Sequence, residues 1–436
     1  MADATDPTVE PGPGSPGKPA MPHAVALGER VVAALERLGS RDVAIALLTY
    51  NNAATAKVVA EAVAAGVERH LDGATAAILN ADAGSSDGTA DAIASSALPV
   101  VRIEHTTPLA ERLTVPFHGV PGRGDALAAV FTAAHRLGAR ALVIAEADVV
   151  SITDDWVRQL AQPVLEGKAD LVNGAYARHR YEGTITNLIV APLIRMLYGR
   201  RLRQPFAGHQ AYSSRLVDHI LVQPRWGGFR RDVTDLWILG TAVADGFAVW
   251  EAWLGPRVVR SSSRSNDLPT IVSQTLGAIF GVMHTHDDLW LAVRGSEPVP
   301  DIGTAARLGI EPARVDVARM LDGFRLGVRD LLTIWEHVLA PDTLGDVLGL
   351  DGGDATRFRF PDDLWARVVS DFALGFHYDV VHRDHLLRSL VPLYLGRTAA
   401  FVLAAEPRSA EATEALLDDV AVAFERQKSY LTERWR

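Results

Sequence analysis

Apolar and polar positions divide this chain into two regimes. From residue 43 to 146, short runs of continuous apolar character alternate with stretches whose apolar positions recur at helical spacing. Residues 43–49 (VAIALLT), 75–80 (TAAILN), 99–104 (PVVRIE) and 140–146 read as strands, and 53–70, about 89 onward and 124–138 as helices. Strands that are apolar on both faces and separated by helices predict an α/β fold with a mainly parallel central sheet, covered on both sides. Ligands of such sheets sit beyond the carboxyl ends of the strands. Asp82, Arg123, Glu146 and Asp148 all fall near those ends.

From about 150 to 260 the alternation breaks, loops lengthen, and Gly, Arg, Trp and His concentrate, as in a substrate-binding half. A helix is expected over 268–292. Beyond 310 the pattern is helical, over 313–339, 361–381, 383–405 and 409–434, punctuated by Pro341, Gly352/Gly353 and Pro407. The expected organisation is a disordered tail over 1–25, an α/β domain over 26–295 and a helical carboxy-terminal region over 296–436. Within the α/β domain the regularly alternating half spans about 40–150 and the loop-rich half 151–295.

Composition narrows the function. A net charge of −10 argues against a broad nucleic-acid-binding surface, and the lack of cysteine excludes disulfides, thiolate metal sites and cysteine nucleophiles. The best membrane candidate, 270–283, is about four residues short of a span, so no membrane span is expected and the expected location is cytoplasmic.

Candidate chemistry lies in three motifs. LVIAEADVV (142–150) puts Glu146 and Asp148 one residue apart at a strand end. Two such carboxylates suit Mg²⁺ or Mn²⁺ bridging to a substrate phosphate, or else form a solvated strand end. NADAGSSDGT (80–89) places Asp82 for a base or ribose contact and Asp87 for a helix cap. VPGRGDAL (120–127) matches neither phosphate-loop nor dinucleotide spacing. Its glycines allow a close backbone approach, Arg123 can pair with a phosphate, and Asp125 can bond a sugar hydroxyl. Asp154 and Asp155 read as helix-capping residues. Trp226, Trp237, Trp250 and Trp253 read as core rather than sugar platforms.

These segments, with ALLTYNN (46–52) and EADVVSITDDW (146–156), occur in the order and spacing of family-2-like glycosyltransferases. Residues 180–213, 232–249 and the helical tail resemble, within that class, the mannosylglycerate synthase and glucosyl-3-phosphoglycerate synthase group. The resemblance covers most of 43–436. It implies a GT-A (nucleotide-diphospho-sugar transferase) fold and transfer of a hexose, with retention, from a UDP- or GDP-hexose to a small polar, glycerate-like acceptor. It assigns Thr49, Tyr50 and Asp82 to base and ribose, Arg123 and Asp125 to the donor's loop, and Gly208 to the floor under the donor sugar. Glu146 and Asp148 would hold the divalent cation and Arg178 the acceptor carboxylate, while Asp235 would be the general base if transfer inverts or would orient the reacting hydroxyls if it retains.

Two departures stand out. The group's late metal-ligand histidine is expected around 257–260, where this chain has RVVR, so either Asp148 and the diphosphate alone hold the cation, as a weaker site, or Arg257 or Arg260 supplies the positive charge instead. GHQAYS (208–213) carries His209 where an acidic residue is expected. The alternative reading is a nucleotide-sugar-binding protein of the same fold with impaired catalysis. The helical tail is expected to cover the acceptor site or to build a homodimer.

Overall fold

The computed structural model describes residues 21–105, 119–205, 207–227, 234–260, 267–305, 315–352 and 355–436. The expected tail lies almost wholly outside the described residues. The strands of the main sheet are β1 (Val43–Thr49), β2 (Ala76–Asp82), β3 (Val100–Glu104), β4 (Ala141–Glu146), β5 (Leu171–Ala177), β6 (Gln210–Ser213), β7 (Val249–Pro256) and β8 (Asp301–Gly303). Their order is β8-β7-β5-β6-β4-β1-β2-β3, with β6 antiparallel to both neighbours and every other pair parallel. The α/β architecture with a mainly parallel sheet and a helical carboxy-terminal region is therefore as expected.

Register places the chemistry. Thr49 pairs with Asp82 and Leu48 with Glu146, so three strands end in one row. Alternation along β1 sorts its residues between two cores. Val43, Ile45 and Leu47 face α1 (Ala53–His70) and α3 (Asp154–Leu165), while Ala44, Ala46 and Leu48 join the cluster containing α2 (Arg123–Arg136).

The second cluster also takes in α4 (Thr234–Ala244), α5 (Leu268–Met283), α6 (Asp362–His377), α7 (Val391–Ala405) and α8 (Ala410–Arg426). One core thus runs from Leu35 to Trp435. Polar bonds tie the tail to the sheet half as well. Trp365 donates to the Leu188 carbonyl (2.7 Å), Lys428 to that of Met196 (2.8 Å), and Arg180 to those of Ala405 and Arg408.

Several elements differ from the sequence reading. Strand β2 continues through Asp82, because that carboxylate is bonded inside the sheet end rather than to solvent. The helix expected over 268–292 breaks after Met283, where His286 packs on Tyr198 and a new helix starts at Asp287. Residues Pro341–Leu348 are an unexpected helix that starts on its own proline. The helical run 383–405 is long and apolar enough to cross a membrane by length and composition, which the sequence analysis passed over. Its most apolar window is 78% buried inside the protein, as a core helix would be.

Candidate active site

A cavity of about 290 Å³ opens beside the carboxyl end of β4. Five of the sequence-selected residues line it: Arg123, Glu146, Arg178, Gly208 and Asp235. Arg257 joins them. The remaining wall comes from Gly183–Thr186, from Ala207, from Leu268, Ile271 and Thr275 of α5, and from Tyr394 of α7. Sequence reasoning missed these wall residues. A lone Tyr inside the apolar run VPLYLGRTAAF was the available signal, since a buried phenol needs a polar partner. Its hydroxyl bonds that of Thr184.

Arg123 stands at the first position of α2, where Gly122 takes the left-handed conformation and turns the chain into the helix. Its guanidinium grips Asp235 at both ends, Nε donating to Oδ2 (2.9 Å) and Nη2 to Oδ1 (3.0 Å). Both side chains are almost wholly buried. Burial alone would pull the guanidinium down, but the Asp235 carboxylate outweighs it and holds Arg123 above its ordinary value.

Arg257 is delivered by the segment after β7, which docks against the loop after β4. Val150 N donates to the Val258 carbonyl (3.0 Å), Arg260 N to that of Asp148 (2.8 Å), and Val258 N to Ser151 Oγ (2.9 Å). Arg257 Nη2 then donates to Glu146 Oε2 (2.6 Å). On its other side Glu146 lies flat against Gly208: a Cβ there would fall 1.9 Å from the Glu146 carboxyl carbon.

Arg178 makes no hydrogen bond or ion pair with any described residue, and its Nε is buried without a partner. Its guanidinium carbon and that of Arg257 each lie 5.5 Å from the Tyr176 ring. Burial, and next the charge of Arg257, pull Arg178 down to about 10. Burial, and next Glu146, push the Tyr176 phenol up to about 12. At neutral pH the Arg178 guanidinium is still charged and the Tyr176 phenol neutral.

The floor of the cavity is pinned from behind. Asn173 donates to the Gln204 carbonyl (2.6 Å), Gln204 Nε2 to that of Tyr176 (2.7 Å), and Glu251 accepts from the Arg203 and Gln204 amides. Burial pushes Glu251 up to about 7, against those amide bonds. A carboxyl raised on folding stabilises fully below its unfolded value near 4.3, and that contribution is lost as pH rises through about 7. Unfolding free energy should therefore fall between pH 5 and 8 relative to Glu251→Gln, by about 3 kcal/mol at most. Denaturant titrations of both proteins across that range check it. Parallel pH profiles would rule it out.

Other selected residues lie elsewhere. Asp82 is fully buried and its carboxylate accepts from Thr49 Oγ1, Gly84 N, Ser85 N and Ser85 Oγ. Four donors fill the lone-pair positions of a carboxylate, so both Asp82 oxygens are engaged within its own loop and strand end. Thr49 is fully buried as its partner, and Tyr50 follows it, half-buried at the strand end. Asp125 faces a different hollow, with Glu104, His105 and residues 25–28. Two residues along a helix is about 200° of rotation, so it cannot share the face of Arg123. His209 is fully buried, its Nδ1 bonded to the Tyr176 hydroxyl (2.7 Å), and does not line the cavity. The next histidines along the chain after β7 do not line it either: His286 lies between Tyr198 and Thr241, and His284 is stacked on His377.

Glu146 and Asp148 share a small recess with Asn52 and Arg123. Among the described residues no group of three or more His, Asp or Glu could hold a metal ion, and one Glu146 oxygen is already held by Arg257. The residues present therefore do not fit a divalent cation that uses Glu146 as a ligand.

The chain is similar to glucosyl-3-phosphoglycerate synthase from Mycobacterium tuberculosis. Its complex with Mn²⁺, uridine diphosphate and glucosyl-3-phosphoglycerate matches at 22% identity and a TM-score of 0.41, over 58% of this chain and 82% of that one. The complex with Mn²⁺, UDP-glucose and phosphoglyceric acid matches at 21% and 0.40, over 62% and 86%. The complex with Mg²⁺ and uridine diphosphate matches at 20% and 0.41, over 59% and 83%. No family model and no curated protein matches the chain. An overlap of this size carries nothing about the chemistry of this chain, which rests on the residues of the cavity.

Proposed function

We propose that the cavity transfers a hexose from a nucleotide-diphosphate sugar to a small, anionic hydroxylated acceptor of the glycerate type, on a GT-A fold. The observation that carries this reading is the charge arrangement. Among the described residues, Arg123, Arg178 and Arg257 line the cavity against Glu146 and Asp235, one more cation than anion. That cation is Arg178, which has no acidic partner among the described residues. A desolvated guanidinium fork demands a carboxylate or phosphate, and a phosphorylated donor with a carboxylated acceptor supplies both.

In this reading the bond from the anomeric carbon to the diphosphate oxygen breaks as the acceptor oxygen bonds to that carbon. Arginines positioned in advance stabilise the charge developing on the leaving group. Asp235 is poorly suited as a general base, because its carboxylate is bound at both oxygens by Arg123 and a proton there would break the pair. The acceptor proton goes instead to the departing diphosphate oxygen, which suits retention. Asp235 and Arg123 orient the donor, Gly208 lets it approach the sheet end, and Arg178 holds the acceptor. The Arg257–Glu146 pair also suits a second reading, in which the cavity binds the nucleotide sugar without transfer.

Release of nucleoside diphosphate from UDP- and GDP-hexoses, with D-glycerate or 3-phosphoglycerate present, separates the two. Transfer predicts release that depends on acceptor. Arg178→Ala should raise the acceptor KM by about 10–100-fold, the worth of a charge-assisted bond, with donor binding little changed. Donor bound without release favours the second reading. Neither binding nor release would sink both.

A further inference from the structure

We propose that Arg257 supplies the positive charge on which the donor diphosphate rests, with Glu146 as the residue that positions it, so that nucleotide binds without a divalent cation. The inference rests on the nucleotide-sugar reading above and concerns the same cavity.

Geometry carries it. Arg257 is not a loose surface side chain. Its segment is stapled to the loop after β4 by three hydrogen bonds, and Val259 bridges to Val149. The side chains of Arg257 and Glu146 are 19% and 8% exposed. Glu146 has little room to swing away, because the Gly208 backbone closes its other side. A cation seeking both Glu146 oxygens must therefore displace a guanidinium held at 2.6 Å in a site screened from water.

The local charges also balance in favour of an anion. Among the described residues, Arg178 and Arg257 flank Tyr176 beside the Glu146 carboxylate, two cations to one anion. The planar fork of a guanidinium matches two oxygens of a phosphate, the group a diphosphate would present to Arg257. The carboxylate expected to be a metal ligand thus becomes the counter-ion that aims the arginine.

The test is calorimetric titration of the full chain with UDP and with GDP, in EDTA and then in Mn²⁺. For whichever nucleotide binds, the dissociation constant should differ by less than about threefold between the two conditions. Arg257→Gln should weaken binding in EDTA at least tenfold, the loss of a charge-assisted hydrogen bond. It should also free Glu146, so that Mn²⁺ followed by electron paramagnetic resonance binds the variant–nucleotide complex and not the wild type. Arg257→Lys keeps the charge without the fork and should fall between; it carries the test if the glutamine variant does not fold. Wild-type binding that requires Mn²⁺ overturns the proposal and leaves the nucleotide-sugar reading standing. So does unchanged affinity of Arg257→Gln in EDTA. Absence of nucleotide binding in both conditions overturns that reading, and this proposal with it.

Discussion

Asp235→Ala is expected to lower folding stability by about 3–5 kcal/mol. The carboxylate it removes neutralises Arg123, and the two side chains are only 3% and 6% exposed. A guanidinium does not shed its proton, so the variant must keep an uncompensated charge under α4 or pull that helix open. Replacing both partners with apolar side chains, Arg123→Met with Asp235→Leu, should restore most of the loss, because neither desolvated charge then remains. Denaturant unfolding of the wild type, both single variants and the double variant forms a complete cycle. A single variant within 1 kcal/mol of wild type would contradict the buried pair described here. The double variant should still fail in transfer, since it removes the group proposed to orient the donor.

Gly208→Ala should leave the fold intact and cut donor binding or kcat/KM by about 100-fold or more, the size seen when one positioned charge-stabilising group is lost. The reason is steric. An added Cβ would lie 2.1 and 2.4 Å from the two Glu146 oxygens, far inside contact distance. The carboxylate must move, and Arg257 moves with it. Gly281→Ala is the control, since nothing stands within 4 Å of a Cβ there and the exchange within α5 should add about 0.5–1 kcal/mol of stability. Melting curves and nucleotide titrations of the two variants read the contrast. Full nucleotide affinity in Gly208→Ala would show that Glu146 is free to move and plays no positioning part.

The strands and their ends were legible because a doubly covered sheet writes itself as runs of Val, Ile, Leu and Ala. The row Thr49, Asp82, Glu146 followed from those ends. What residue spacing could not show was how each carboxylate is used. Asp82 looks like a ligand contact in NADAGSSDGT, yet the turn that makes the motif recognisable also consumes its oxygens. Asp125 was grouped with Arg123 through their common loop, and helical rotation separates them. Arg257 was legible as a charge in the right segment, but its partner is 111 positions away in sequence. The π-helical turn Thr186–Val190, which helps set the cavity wall at Thr186, has no apolar period of its own to announce it.

The wall supplied by Tyr394 bears on how such a protein can change over generations. That tyrosine lies on a helix whose other faces are packed into the shared core, between Phe324 and the strand-bearing half. Gly396, two residues on, touches Phe324 so closely that even a methyl group would collide. This side of the cavity is thus not a detachable module that could be exchanged on its own. A different ligand must be accommodated by single substitutions at the wall positions that the core does not also claim, such as Thr186. Preference at this site should drift in small steps, while the helices behind it are held by folding itself.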